Sequence, residues 1–330
     1  MKLKKIIYFI NMFFAISLLQ ASEIPQINIG YIPVIPQLPL IISYENDNLN
    51  LYSVKLKLTK YNSFTALEAA MRVGVIDACS IPIPIAYNIY SNITKCEKCY
   101  IKIIGTIHKG GSSLISKSSG NLTTMKDKLI GTPGLDSVET MILNNSLKNF
   151  NMRFGLEYKT IEIVFNTAIN DLKKSKLDAL FIPEPYGTIA IKNSSCYLVD
   201  DQEKYFSNNL ITVLVIKSDF LTSKKKAVLE WLESIYNACI FIENDIKNSN
   251  AKQCAIIQSK YFGFQNDVVV ESLTNRLGNL KFNSFIPEIN ELNNILKYSS
   301  SMKLVTKSVD LKELVFLDII KSIHKTKGKN

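Results

Sequence analysis

The sequence predicts an α/β protein made of two similarly laid-out lobes followed by a helical C-terminal part. Three observations carry this. The stretch IDACSIPIP, Ile76 to Pro84, returns 101 residues later as LDALFIPEP, Leu177 to Pro185. At the same offset, NIGY at Asn28 to Tyr31 is echoed by LIGT at Leu129 to Thr132. Short β-rich runs alternate with helical stretches over 26–116 and again over 129–199, the rhythm of parallel strands layered with helices.

Each element has a local reason. INIGY, Ile27 to Tyr31, and LIG, Leu129 to Gly131, read as first strands, each running into a proline-containing loop. The helix SFTALEAAMRVG follows the second strand of the first half. Thr65 and Glu68 stand in capping-box spacing, Leu67, Ala70 and Met71 share a face, and Gly74 stops it. TAINDLKKSK, 167–176, is its counterpart. Each helix feeds the strand that opens the repeated phrase: the aspartate starts the strand, the apolar run is buried, and prolines without N–H donors end the ladder. The short β-runs Leu114 to Ser116 and Leu210 to Ile216 stand where the chain would leave one lobe and return to it, which predicts a two-stranded hinge. Beyond 219 the chain reads as helical, with amphipathic stretches at Ala227 to Asp245 and Glu288 to Tyr298.

With 330 residues, 47% of them apolar, each lobe can bury its own core. Lys2, Lys4 and Lys5 precede an apolar run from Ile6 to Leu19 and the small residues Ala21 and Ser22, the layout of a secretory signal peptide cleaved near Ala21-Ser22. No cysteine near Ala21 offers a lipid attachment site, and no later segment reads as membrane-spanning. The expected division is 1–22 as signal peptide, 23–115 with 212–330 as a discontinuous first lobe, and 116–211 as the second. Loss of the three leader lysines takes the formal charge from +10 to +7. Much of the remainder lies in the tail around Lys321, Lys325, Lys327 and Lys329, which reads as a solvated terminus and not a nucleic-acid surface.

Cys96 and Cys99, in KCEKCY, are expected to form a small-loop disulfide in an exported chain. Two histidines and no second CxxC argue against a zinc site. No cofactor is expected, and Cys79, Cys196, Cys239 and Cys254 sit among apolar neighbours as core residues.

Taken in order, INIGYIPVIPQLPLI, AMRVGVIDACSIPIPIA, IGTIHKGGSSLI, LIGTPGLDSVETMIL, LKKSKLDALFIPEPYGTIA and SVDLKEL resemble the nitrate/sulfonate/bicarbonate group of solute-binding proteins that serve ABC importers. The resemblance spans about 25–320. It implies a type 2 periplasmic-binding-protein fold, two lobes closing on a small molecule, with each copy of the repeated phrase ending a strand at the cleft. That placement agrees with ligand binding at strand carboxyl ends in open α/β sheets. It also implies a periplasmic, non-enzymatic protein whose partners are an ABC permease and ATPase, with the membrane reached only through the permease. Enzymes on the same fold, a pyrimidine-precursor synthase or a menaquinone-pathway dehydratase, and a ligand-sensing subunit are the alternatives. The synthase's cysteine-rich motif is missing here, and the leader argues against both cytosolic enzymes.

The candidate site residues cluster at loops. In GTPGLDSVET the chain turns at Pro133 and Gly134, and a helix starts at Asp136 or Ser137. Its free backbone N–H groups and the Ser137 hydroxyl can hold an oxygen-rich group, or Ser137 can simply cap its own helix. Glu184, between Pro183 and Pro185, can receive a ligand amine, ligate a cation or pair with a base of the other lobe. The resemblance carries Glu184, and less strongly Tyr186, to the ligand. The first lobe offers Tyr31, Ile32 and Pro33, then Ser63 and Phe64, the twin phrase with Ser80 and Pro82, and His108 beside the hinge. Lys109 is the chief cation near these loops, against Asp136 and Glu184, which tilts the expected ligand from an inorganic anion toward a zwitterion or an organic molecule with an apolar part.

Overall fold

A computed structural model describes residues 24–45, 54–92, 101–194, 196–206 and 209–327. The leader and the Cys96–Cys99 pair lie outside the described residues. Strands β1 (Gln26–Tyr31), β2 (Lys55–Lys60), β3 (Ala78–Pro82), β4 (Ile101–Gly105) and β10 (Thr212–Lys217) form one sheet in the order β2-β1-β3-β10-β4. The second sheet contains β5 (Ser112–Ser116), β6 (Leu129–Thr132), β7 (Lys159–Glu162), β8 (Ala179–Pro183) and β9 (Tyr197–Leu198), in the order β7-β6-β8-β5-β9. The orders are equivalent. In each sheet three parallel strands are followed by one antiparallel strand, β10 against β3 and β5 against β8. The two runs expected at the hinge are therefore full sheet members, one in each sheet, and the chain crosses in the short links that precede Ser112 and Thr212.

The repeat has a physical cause. Asn28 N–H donates to Asp77 Oδ2 at 2.9 Å, and Leu129 N–H donates to Asp178 Oδ2 at 2.9 Å, so each repeated aspartate ties the start of its strand to the first strand of its sheet. Gly30 and Gly131 also share one duty. A Cβ on Gly30 would stand 2.4 Å from Leu67 Cδ1, and one on Gly131 2.5 Å from Ile163 Cγ2, so only glycine lets the covering side chains rest on the first strand.

The helix Phe64–Arg72 forms as expected, but its cap is Ser63, whose hydroxyl accepts Ala66 N–H. The expected box does not form. Thr65 donates instead to Glu162 Oε1 at 2.7 Å, and Glu68 pairs with Arg72 at 2.6 Å. The C-terminal part is helical, chiefly Lys225–Ser249 and Ile289–Ser301. Trp231 on the longer helix is completely buried in the core behind the first sheet. Among the described residues no helix is long and apolar enough to cross a membrane.

Candidate functional site

The carboxyl ends of β3 and β8 face each other across a gap between the sheets. Opposite the twin prolines at those ends stand hydroxyl residues of the antiparallel strands, Thr212 beside Pro82 and Ser112 beside Pro183. Both hydroxyl residues line one cavity of about 10 Å³, room for about one water. Gln37, His108 and Glu139 complete its polar lining, and Val34, Phe64 and Ile211 supply apolar wall.

Most of this polar lining is already committed. Gln37 accepts Ile32 N–H at 2.8 Å and donates to the Ser80 carbonyl at 3.1 Å. His108 Nδ1 lies 3.1 Å from the Gly110 carbonyl, which can only accept, so Nδ1 carries the proton. Nε2 is then the acceptor for Thr212 Oγ1 at 2.8 Å, and Thr212 in turn accepts from Ser80 Oγ at 2.8 Å. Burial pushes the imidazole down to about 4, so His108 is neutral at ordinary pH.

Glu139 is different. It follows Ser137 at the start of the helix Val138–Lys148 and is 1% exposed. Ser112 Oγ donates to its Oε1 at 2.9 Å, while Oε2 has no hydrogen-bond partner. Burial raises its pKa, opposed by its own amide N–H and by the hydroxyls of Ser112 and Ser137.

The candidates from sequence divide sharply. Phe64 and His108 line the cavity. Ser137 caps its own helix, accepting Thr140 N–H at 3.2 Å, and is buried. Asp136 stands beside it, partly exposed, held up to about 6 by burial and then by the charges of Glu68 and Glu162. The Glu184 side chain turns to Thr188, which donates to Oε2 at 2.6 Å; Oε1 is unpartnered, and burial raises the acid to about 7. Its backbone does the bridging, because Ile35 N–H donates to the Glu184 carbonyl at 2.8 Å across the gap. Tyr186 stacks on Phe165 at 5.6 Å, and Phe165 meets Phe64 edge-on at 6.0 Å. Tyr31 donates to the Tyr261 carbonyl at 3.3 Å, and Ile32 and Pro33 are buried. Lys109 is occupied by Glu291 at 2.9 Å.

Sequence reasoning missed Gln37, Ser112, Glu139 and Thr212. The available signal was their position: both hydroxyls begin the crossing strands, and Glu139 follows two residues after a cap already under suspicion.

The comparisons agree with this architecture. A ligand-binding component of an ABC-type import system from Staphylococcus aureus, solved with zinc bound, superposes with a TM-score of 0.76 at 18% identity, over 91% of this chain and 99% of that one. The periplasmic nitrate-binding protein NrtA from Synechocystis PCC 6803 gives a TM-score of 0.81 at 14% identity, over 93% and 90%. The alkanesulfonate-binding protein SsuA from Xanthomonas axonopodis pv. citri, bound to MOPS, gives 0.68 at 15% identity, over 90% and 100%. At such identities these likenesses show the fold, two α/β lobes of the periplasmic-binding-protein kind. No curated protein matches the chain. The NMT1-like family model, however, matches residues 20–258, well over half of the length, and the chain belongs to that family.

Proposed function

We propose that this protein is an exported, non-enzymatic solute-binding component of an ABC importer, which captures a small molecule between its lobes and delivers it to a permease. The observation that carries this is the cavity at the facing strand ends, walled from both sheets and holding one buried carboxylate oxygen without a partner. The likeness to import-system binding proteins over 90% or more of the chain supports the same reading. The leader, cleaved near Ala21-Ser22, takes the mature chain across the membrane, and of the expected lobes, 23–115 with 212–330 against 116–211, the first boundary is drawn just before Ser112, since β5 pairs with β8 in the second sheet.

The cavity's volume of about 10 Å³ requires the lobes to part before a ligand larger than water enters. Contacts that must yield include the Ile35 to Glu184 backbone bond, the Thr65 to Glu162 bond and the Phe64 to Phe165 edge contact, and the lobes are further joined by Lys192 to Asp267 and Glu271, by Asn144 to Tyr298 and by Tyr186 against Phe264. Each has a partner on each side of the gap.

Native mass spectrometry of the protein purified without unfolding tests this directly. The expected result is a one-to-one complex with a small molecule that is released chemically unchanged by denaturation and rebinds after refolding. No bound molecule, or its conversion to a product on rebinding, would overturn the solute-binding reading, the second outcome in favour of an enzyme.

A further inference from the structure

We propose that the cleft takes an organic cation, with a protonated amine or amidinium group seated on Glu139 and an apolar remainder against Phe64, Val34 and Ile211. This rests on the solute-binding reading and goes on to name the ligand class.

The argument is one of spare capacity. Around the cavity, Gln37 spends its carbonyl on Ile32 and its amide on Ser80. His108 and Thr212 satisfy each other, with Gly110 and Ser80 at the two ends of the chain of bonds. Ser112 gives its proton to Glu139. What remains is Glu139, a residue of the cavity wall, whose buried Oε2 makes no hydrogen bond, with the Ser137 hydroxyl the polar side chain beside Ser112 that also acts on the carboxyl. A buried carboxylate oxygen left open is an acceptor that a donor-rich, positively charged group completes.

The surroundings select the sign of charge. Among the described residues no lysine or arginine lines the cavity, and Lys109, adjacent in sequence to His108 of its wall, is tied to Glu291. A nitrate or sulfonate would sit beside the Glu139 carboxylate with no counter-charge, as like charges at a desolvated site repel. Outside the lining, Asp136, Glu162 and Glu68 add negative charge, and the Arg72 guanidinium is held by Glu68 and Asn88. These acids, Asp136 and Glu162 in the same lobe as Glu139 and Glu68 facing them from the other, add to the negative potential that favours a cation. A bare metal ion fits poorly, because among the described residues no three His, Cys, Asp or Glu side chains gather closely enough to hold one. The aromatic and aliphatic wall calls for a ligand with a carbon body.

Three probes of one shape and different charge test this: benzamidine, benzamide and benzoate, titrated at millimolar concentration and read by ligand-observed NMR and calorimetry. Benzamidine should bind at least about tenfold more tightly than the other two, and Glu139→Gln should bring the ratio of benzamidine to benzamide affinity to within about threefold of one. Equal or tighter binding of benzoate or benzamide, no binding of any probe, or an unaltered preference in the folded variant would overturn the proposal. If Glu139→Gln does not fold, the three-probe comparison on the native protein decides alone. The molecule recovered by native mass spectrometry separates the two readings: a bound anion would preserve the solute-binding function and refute the cationic ligand, whereas the absence of any bound molecule would remove the function itself.

Discussion

Asp136 is held in a place that costs the fold stability, and replacing it with asparagine should reveal how much. Its carboxyl is pushed from the ordinary 3.8 up to about 6, first by burial and then by Glu68 across the gap and Glu162 on the adjacent strand, against the pull of its own amide. The folded protein therefore binds this proton more tightly than the unfolded chain. The associated stability is fully present below 3.8 and is lost as pH rises through about 6. A shift of about two units corresponds to about 3 kcal/mol at neutral pH as a ceiling, and partial exposure of the group brings the expected value to about 1–2 kcal/mol. Asp136→Asn keeps the shape and removes the charge. Urea unfolding near pH 7.5 should show the variant more stable than the parent by about that amount, with the difference shrinking to nothing near pH 4. An asparagine variant no more stable than the parent near pH 7.5, or a gain that persists unchanged into acid, would refute the reasoning.

Two further substitutions follow from the same contacts. Asp77→Ala should cost about 2–4 kcal/mol and Asp178→Ala about 1 kcal/mol in thermal or urea unfolding, although the two aspartates are twins in sequence. Asp77 is 9% exposed and holds Lys217 at 2.9 Å as well as Asn28, whereas Asp178 is 45% exposed and holds Lys128 only at 3.7 Å. Ser137→Ala should lower stability by about 1 kcal/mol through loss of the cap to Thr140, and calorimetry with the bound solute should find affinity within about threefold of the parent.

What could be read from sequence was what the sheets impose twice. Asp77 and Asp178, Gly30 and Gly131, and the prolines at the ends of β3 and β8 recur because each solves the same backbone problem in each sheet, and a repeated problem leaves a repeated phrase. The cap of the helix Phe64–Arg72 was misread because Ser63 and Thr65 both suit the role; the backbone turn selects Ser63, and Thr65 is drawn away by Glu162 from the other sheet. Glu139 was out of reach for a related reason. In sequence it is an ordinary acid in a first helical turn, and only the approach of Ser112, 27 residues earlier, shows it to be part of a wall. His108 was legible by position, but its neutrality depends on Thr212, 104 residues on. Contacts between lobes leave no local period to detect.

The site lies where the two copies stop agreeing. At the 101-residue offset Asp136 answers to Ile35, Ser137 to Pro36 and Glu139 to Leu38, so the second lobe's turn is acidic where the first lobe's is apolar. Ile35 and Leu38 are buried in the first lobe's core, and Pro36 lines the cavity opposite Glu139's helix. Acid on both turns would set carboxylates against each other as the gap narrows, and in a desolvated cleft that repulsion would oppose closure. Apolar residues on both would close the gap but leave nothing to bind a polar group. With acid on one side only, the lobes can meet through Phe64 and Phe165 and through the Ile35 to Glu184 backbone bond, and the acid that lines the cavity with an unbonded oxygen is Glu139. Closure then gains most from a ligand that brings the missing positive charge, because only that ligand both fills the gap and neutralises the carboxylate that the closed lobes bury.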